Sequence, residues 1–382
     1  MPLELTPLEP ERLSDALRRV VGPQSPPALK LMAARGLAPL GPQDLITALY
    51  QVGLETDATL AEAAQKSAAG LPERVLQGGL AGADDARVLH YFARLVKGRP
   101  EMVELVLLNR NTHDDTFAYL AGVCDERELE MIAAAEERCL RTPAIVEALY
   151  FNRRARMSTV DRLVELCARH GVELDKIPGY REIIAALSAA PQVAPEEPEV
   201  AALEDDIFRE AIDAGADAFG EGDSDETDET VGELLEGAEE EARDPKRVTI
   251  ESIKNLKLSA KIRLATVGTA FHRAVLIRDS NKQVALAAIR SPAVSDNEVA
   301  RYSANRALAE DVVRYIASRR EYLKNYQVKV NLVSNPKCPL ATAMRLLQFL
   351  RENDLRGVAR SKSIPAALAT TAKKQLANKK SG

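Results

Sequence analysis

A chain of 382 residues that is 46% apolar is long enough for two cores and is excluded from the class of wholly disordered polymers. Tryptophan is absent and there are only 9 Tyr and 7 Phe, so the cores must be made of Leu, Val, Ile and Ala, which pack most readily as helices. The formal net charge of −6 hides a segregation: residues 196–244 sum to −19, residues 246–382 to +18, and the rest to −5.

The N-terminus, Met1-Pro2-Leu3-Glu4-Leu5, has no basic region followed by an apolar stretch, and no 18 apolar residues run together. The expectation is a cytoplasmic protein without a transmembrane segment. Cys124, Cys139, Cys167 and Cys338 form no CxxC pair, which suits a reducing compartment.

Residues 1–26 carry five prolines and a short amphipathic stretch near Leu13 to Val21, and read as an N-terminal cap or arm. From residue 27 onward, Leu29, Leu37, Leu45, Leu49, Leu60 and Ala64 open a helical stack that extends to residue 190. Within it, Val103–Leu120 aligns without a gap on Val146–Leu163 at an offset of 43. Each copy has an amphipathic helix that stops at Asn-Arg (Asn109, Asn152). A second helix then starts near an Asp115 or Ser158 cap, and the spacing predicts two helices per 43-residue unit.

Residues 191–247 read as an acidic disordered linker, because a self-repelling stretch with little apolar surface cannot offset its ordering entropy. Two islands inside it, Val200–Ala214 (Ile207, Phe208, Ile212) and Val231–Ala242, have helix-like apolar spacing. Transient helices are the plainer reading of both, with docking segments as the alternative.

The basic domain, 248–378, repeats the same logic. Val284–Val299 matches Val328–Ala343 at an offset of 44, with Ser295 and Glu298 spaced for a capping box and Pro339 placed for a first helical position. Residues 379–382 form a tail.

These periods, helix pairs and turn positions resemble the helix-turn-helix units of HEAT and armadillo repeat proteins, over roughly residues 27–180 and 250–378. The recurrent Asn-Pro or Ser-Pro turn (Asn335-Pro336, Ser291-Pro292) differs from the usual HEAT signature, and the chain looks like a bacterial branch of such proteins. The resemblance implies an all-α fold of two α-solenoid halves joined by the acidic linker, binding through a curved surface, and it brings no catalytic residue with it.

Enzyme signatures are missing: no dinucleotide glycine fingerprint, phosphate loop, GxSxG elbow or HExxH. Gly78-Gly79 reads as a loop, His113-Asp114-Asp115 as a turn and cap rather than a metal site, and Cys124 and Cys167 as core thiols, with His170 three residues beyond the latter. Glu104 and Glu147, at matching repeat positions, read as solvated. No enzyme activity, cofactor or metal is expected.

The strongest functional signal is a basic ridge of Arg278, Arg319, Arg320, Arg360 and Lys362, whose spacings of 41 and 42 residues would stack them on one edge. Such a ridge suits nucleic-acid phosphate, an anionic membrane surface, an acidic protein segment or the chain's own acidic linker. The expected function is a non-enzymatic protein-protein interaction scaffold whose basic C-terminal groove is screened by that linker. The alternative is a nucleic-acid-binding helical-repeat protein.

Overall fold

The structure, a computed structural model, describes residues 3–189, 198–219 and 245–380. Among them the regular elements are all helical, with no strand. The chain divides into two compact units between Leu174 and Asp175.

In the first unit the helices are α1 (Asp15–Val21), α2 (Pro27–Ala34), α3 (Pro42–Gly53), α4 (Ala58–Ala69), α5 (Glu73–Gly82), α6 (Ala86–Val96), α7 (Pro100–Leu108), α8 (Asp114–Val123), α9 (Glu126–Ala134), α10 (Glu136–Arg141), α11 (Pro143–Phe151) and α12 (Met157–Arg169). Sequence neighbours pack on each other, and so do helices two steps apart. α3, α5, α7 and α9 form one row, and α4, α6, α8 and α11 a second. Proline opens α3, α7 and α11, where its missing amide costs nothing.

The order of stacking corrects the expected 43-residue unit. Neighbours in a row begin 26 to 31 residues apart, from Pro100 to Glu126 at the shortest and from Pro42 to Glu73 at the longest. The two copies that align at 43 residues begin with α7 and α11, which lie in different rows. Their likeness is one of local design: a short helix, an Asn turn and a further helix.

The Asn turn is the joint of the design. At the end of α7, Asn109 donates through Nδ2 to the carbonyls of Leu80 (2.8 Å) and Ala83 (3.0 Å), at the end of α5. At the end of α11, Asn152 donates to Ala121 (2.9 Å) and Cys124 (3.0 Å), at the end of α8. Each Oδ1 accepts from the amide two residues on, Asn111 and Arg154 respectively. A helix leaves its last carbonyls without partners; here the next helix of the row supplies them. Both asparagines are buried, so the bonds are shielded from water.

Other sequence expectations shift locally. His113 and Arg156, not Asp115 and Ser158, are the N-cap residues of α8 and α12. Gly78 and Gly79 lie inside α5 rather than in a loop, because α5 crosses α3 so closely that a Cβ at Gly79 would stand 2.8 Å from Ile46 and 3.0 Å from the Pro42 carbonyl oxygen. Residues 3–26 pack onto the first helices: Leu8, Leu13, Leu17, Val20 and Val21 are buried, and Tyr50 donates to the Thr6 carbonyl at 2.7 Å.

The second unit contains α13 (Tyr180–Ala189), α14 (Pro198–Phe219), α15 (Pro245–Asn255), α16 (Leu258–Val267), α17 (Ala270–Leu276), α18 (Lys282–Arg290), α19 (Asp296–Ala304), α20 (Glu310–Ser318), α21 (Tyr326–Ser334), α22 (Leu340–Leu347), α23 (Glu352–Arg360) and α24 (Ala366–Lys380). Here α16, α18 and α20 form one row and α19, α21 and α23 another, while α24 packs on α22 and α23. The side-chain joint recurs. Asn335 donates to Ser303 (3.0 Å) and Asn305 (3.3 Å), and Ser291 donates to Thr266 at 2.7 Å. Pro339 is the N-cap of α22, one residue before the expected position, while Ser295 and Glu298 form the expected capping box on α19.

The second unit begins earlier than the expected boundary after residue 190. Gly171 and Gly179, both at positive φ (68° and 74°), turn the chain between α12 and α13, and α13 packs on α16. The expected linker, 191–247, likewise contains an ordered part. α14 packs on α15 and α17, burying Phe208, Ala211 and Ile212 while Ile207 stays exposed. Residues 190–197 and 220–244, including the Val231–Ala242 island, lie outside the described residues.

Candidate interaction surface of the second unit

Helix α14 lies at the centre of a site made from α16 and α17. Its apolar side chains at i, i+3 and i+4 (Phe208, Ala211, Ile212) form one stripe, and its other face carries Asp206, Glu210 and Asp213 outward. Beneath it, the fully buried Arg263 of α16 sets its guanidinium 4.9 Å from the Phe208 ring centre. Desolvation strengthens such a cation–π contact relative to an exposed one. Lys257, just before α16, pairs with Glu204.

A second anchor is His272 on α17, which is fully buried. Its Nδ1 accepts from the Thr269 backbone amide (2.9 Å), closing a capping box on α17. Its Nε2 lies 2.9 Å from the Ala211 carbonyl oxygen, so the proton sits on Nε2 and is donated to α14. One imidazole therefore caps its own helix and holds the acidic helix.

A buried ion pair ties α17, on which α14 packs, to α19. Arg273 and Glu298 meet in a bidentate arrangement (2.8 and 2.9 Å), both essentially out of solvent. Glu298 also accepts from Tyr302 Oη and the Ser295 amide, and Arg273 also donates to the Gly268 carbonyl. Each carboxylate oxygen of Glu298 accepts two bonds and each guanidinium nitrogen of Arg273 donates one, the kind of satisfaction under which a buried pair is tolerated.

The residues of the expected ridge are dispersed. Arg278, just past the end of α17, is half-buried and turns back to the Ala274 carbonyl of that helix (2.5 Å). Arg319 and Arg320 close α20, in the row α16–α18–α20, and Arg360 closes α23, in the row α19–α21–α23, so a 41- to 42-residue spacing does not put them on one edge. What the fold brings together instead is Arg290 with Arg319, whose guanidiniums lie 5.2 and 4.9 Å from the Tyr315 ring centre. Arg360 joins Arg356 and Lys373 in a cleft between α23 and α24. Arg320 and Lys362 are exposed.

Sequence reasoning missed Arg263, His272 and Arg273, and read Glu298 only as part of a capping box. The signal for α14 was present in the Phe208–Ile212 spacing, but no pattern marks which arginine will be buried beneath it.

The other candidates have structural settings. Burial raises the thiol pKa of Cys124, Cys167 and Cys338 to about 11 and of Cys139 to about 12, so none is a ready thiolate. His170 is the C-cap residue of α12, with Nδ1 2.9 Å from the Leu166 carbonyl oxygen. His113 accepts the Asp115 amide, and Asp114 is held by Arg138, Arg141 and Thr142 at 2.6–2.9 Å. Glu104 pairs with Arg127, whereas Glu147 is buried, contrary to the solvated reading, because α11 is enclosed between α8 and α12. No group of three metal-ligating side chains is present among the described residues, and no helix there is long and apolar enough to cross a membrane.

No family model matches the chain, and neither a curated protein nor a solved structure matches it.

Proposed function

We propose that the chain is a non-enzymatic interaction scaffold of the helical-repeat kind, with two HEAT-like halves. Its second, basic half binds a protein partner on the surface of α16 and α17 that its own acidic segment covers at rest. The observation that carries this reading is the seat of α14: an acidic helix from the expected linker buries Phe208 and Ala211 over Arg263 and His272. A partner that presents an acidic amphipathic helix has the chemistry to take the same seat, with its carboxylates toward Lys257 and its apolar stripe over Arg263.

Affinity capture from native cytosol tests this, using the full chain and its Phe208→Asp variant with nuclease treatment of each eluate. The reading predicts a protein partner that survives nuclease and is recovered in greater yield with Phe208→Asp. Absence of any nuclease-resistant partner, or one recovered in equal yield from the full chain and from Phe208→Asp, contradicts it.

A further inference from the structure

The cleft between α23 and α24 has a volume of about 230 Å³ and is lined by Arg356, Ala359, Arg360, Lys373 and Leu376. The two helices that form it pack on each other, and Leu355 and Val358 of α23 and Leu368 and Ala372 of α24 are buried. Three of the five lining side chains are cations and none is an anion. Residues 340–380 as a whole hold 9 Lys and Arg against Glu352 and Asp354 alone. Both carboxylates are engaged: Glu352 with Arg356 at 2.5 Å, and Asp354 with the hydroxyl of Tyr326. Arg360 and Lys373 have no carboxylate partner among the described residues.

Cations gathered into a concavity repel one another, and the repulsion is relieved when an anion enters. The chemistry of the lining selects among anions. Guanidiniums offer paired donors that match the oxygens of a phosphate, and Lys373 adds a point charge. Lys362, in the connection between α23 and α24, and Lys374, on α24, are both exposed and extend the positive field beyond the cleft, which suits a ligand with repeated charges over a single free ion. Arg351, at the start of α23, lies 4.6 Å from the Tyr326 ring centre. A guanidinium stacked through its face keeps its in-plane N–H groups for phosphate.

We propose that this cleft receives a backbone phosphate of duplex nucleic acid, with Arg356, Arg360 and Lys373 as its contacts and with no base readout. A recess between two helices admits a phosphate that projects from a backbone, whereas a flat lipid surface would meet only the outer lysines. The site is separate from the α14 seat, and either assignment can fail without the other.

The test is fluorescence anisotropy of a short labelled duplex DNA titrated with the full chain at low salt, alongside vesicles containing phosphatidylserine. The wild-type chain binds the duplex with an affinity that falls steeply with salt, and Arg360→Glu with Lys373→Glu weakens binding at least about tenfold and lowers the log–log salt slope by about 2, one unit per lost phosphate contact. Lys66→Glu, an exposed reversal in the first unit, leaves both unchanged. If the double reversal melts early, Arg360→Gln with Lys373→Gln is read instead, with the same direction expected. Absence of duplex binding by the wild type, a double variant that binds as tightly as the wild type, or binding to vesicles without binding to duplex each overturns the assignment.

Discussion

The two units use arginine differently. In the first, guanidiniums close on carboxylates: Arg87 on Asp85 and Glu9, Arg138 and Arg141 on Asp114, Arg156 on Glu126. In the second, Arg290 and Arg319 share the ring of Tyr315, Arg351 lies over Tyr326, Arg263 lies under Phe208, and Arg360 faces a cleft. Composition makes this necessary, since residues 246–382 contain 27 Lys and Arg and only 9 Asp and Glu. Where carboxylates run short, a cation rests on a ring, faces water or waits for a ligand. The first unit thus closes these cations on its own carboxylates, whereas the helices after Pro245 leave Arg360 and Lys373 without one among the described residues, although both units join their rows of helices with the same buried side-chain bond.

The largest effect should come from a buried Arg–carboxylate pair of the second unit, Arg273–Glu298. Replacing Arg273 with Met leaves Glu298 buried without its partner and should cost about 3–5 kcal/mol, measured by urea unfolding. A loss under about 1 kcal/mol would mean that water reaches Glu298.

Next in size is the shared joint. Asn152→Ala in the first unit and Asn335→Ala in the second each strand two helix-end carbonyls and should cost about 1–3 kcal/mol. If one substitution were silent and the other costly, the claim that the units share one joint would fall.

Asp114 sharpens the contrast through pH. Burial opposes its ionisation, but hydrogen bonds from Arg141, Thr142 and Arg138 together hold its carboxyl below the ordinary carboxylate range. A lowered folded-state pKa gives stability that is present above the unfolded value of about 3.9 and lost as pH falls through the folded value. Asp114→Asn should therefore be destabilising at neutral pH, with the difference from wild type closing below about pH 4 in acid unfolding curves.

The smallest effect should be that of Arg319→Glu with Arg320→Glu. Both side chains are exposed, and substitutions of this kind usually change stability by no more than about 0.5 kcal/mol each. A large loss would show that the Tyr315 stack is structural.

Much of the fold was legible because helix periodicity, N1 prolines and capping residues act locally. Ser295 and Glu298 announce α19, and Asn109 and Asn152 mark the ends of α7 and α11. What the repeated Asn turn could not disclose was its partner, because stacking two helices apart is decided by packing. The 43-residue likeness therefore suggested the wrong stacking step, and with it a ridge that the rows do not assemble. The Phe208–Ile212 spacing likewise signalled a helix within 191–247 but not its seat, which is set by Arg263 and His272, residues more than 50 positions further on. Tertiary burial of this kind leaves no local mark.

Amide hydrogen exchange on the full chain, wild type against Phe208→Asp, tests the central claim most directly, that the acidic helix α14 occupies the surface of the second unit. The account predicts protected amides across the Glu204–Ile212 stretch of α14 in the wild type, and their loss in the variant, with faster exchange in α17 while α21 to α23 keep their protection. Wild-type amides in that stretch exchanging as fast as those of a free peptide would contradict it.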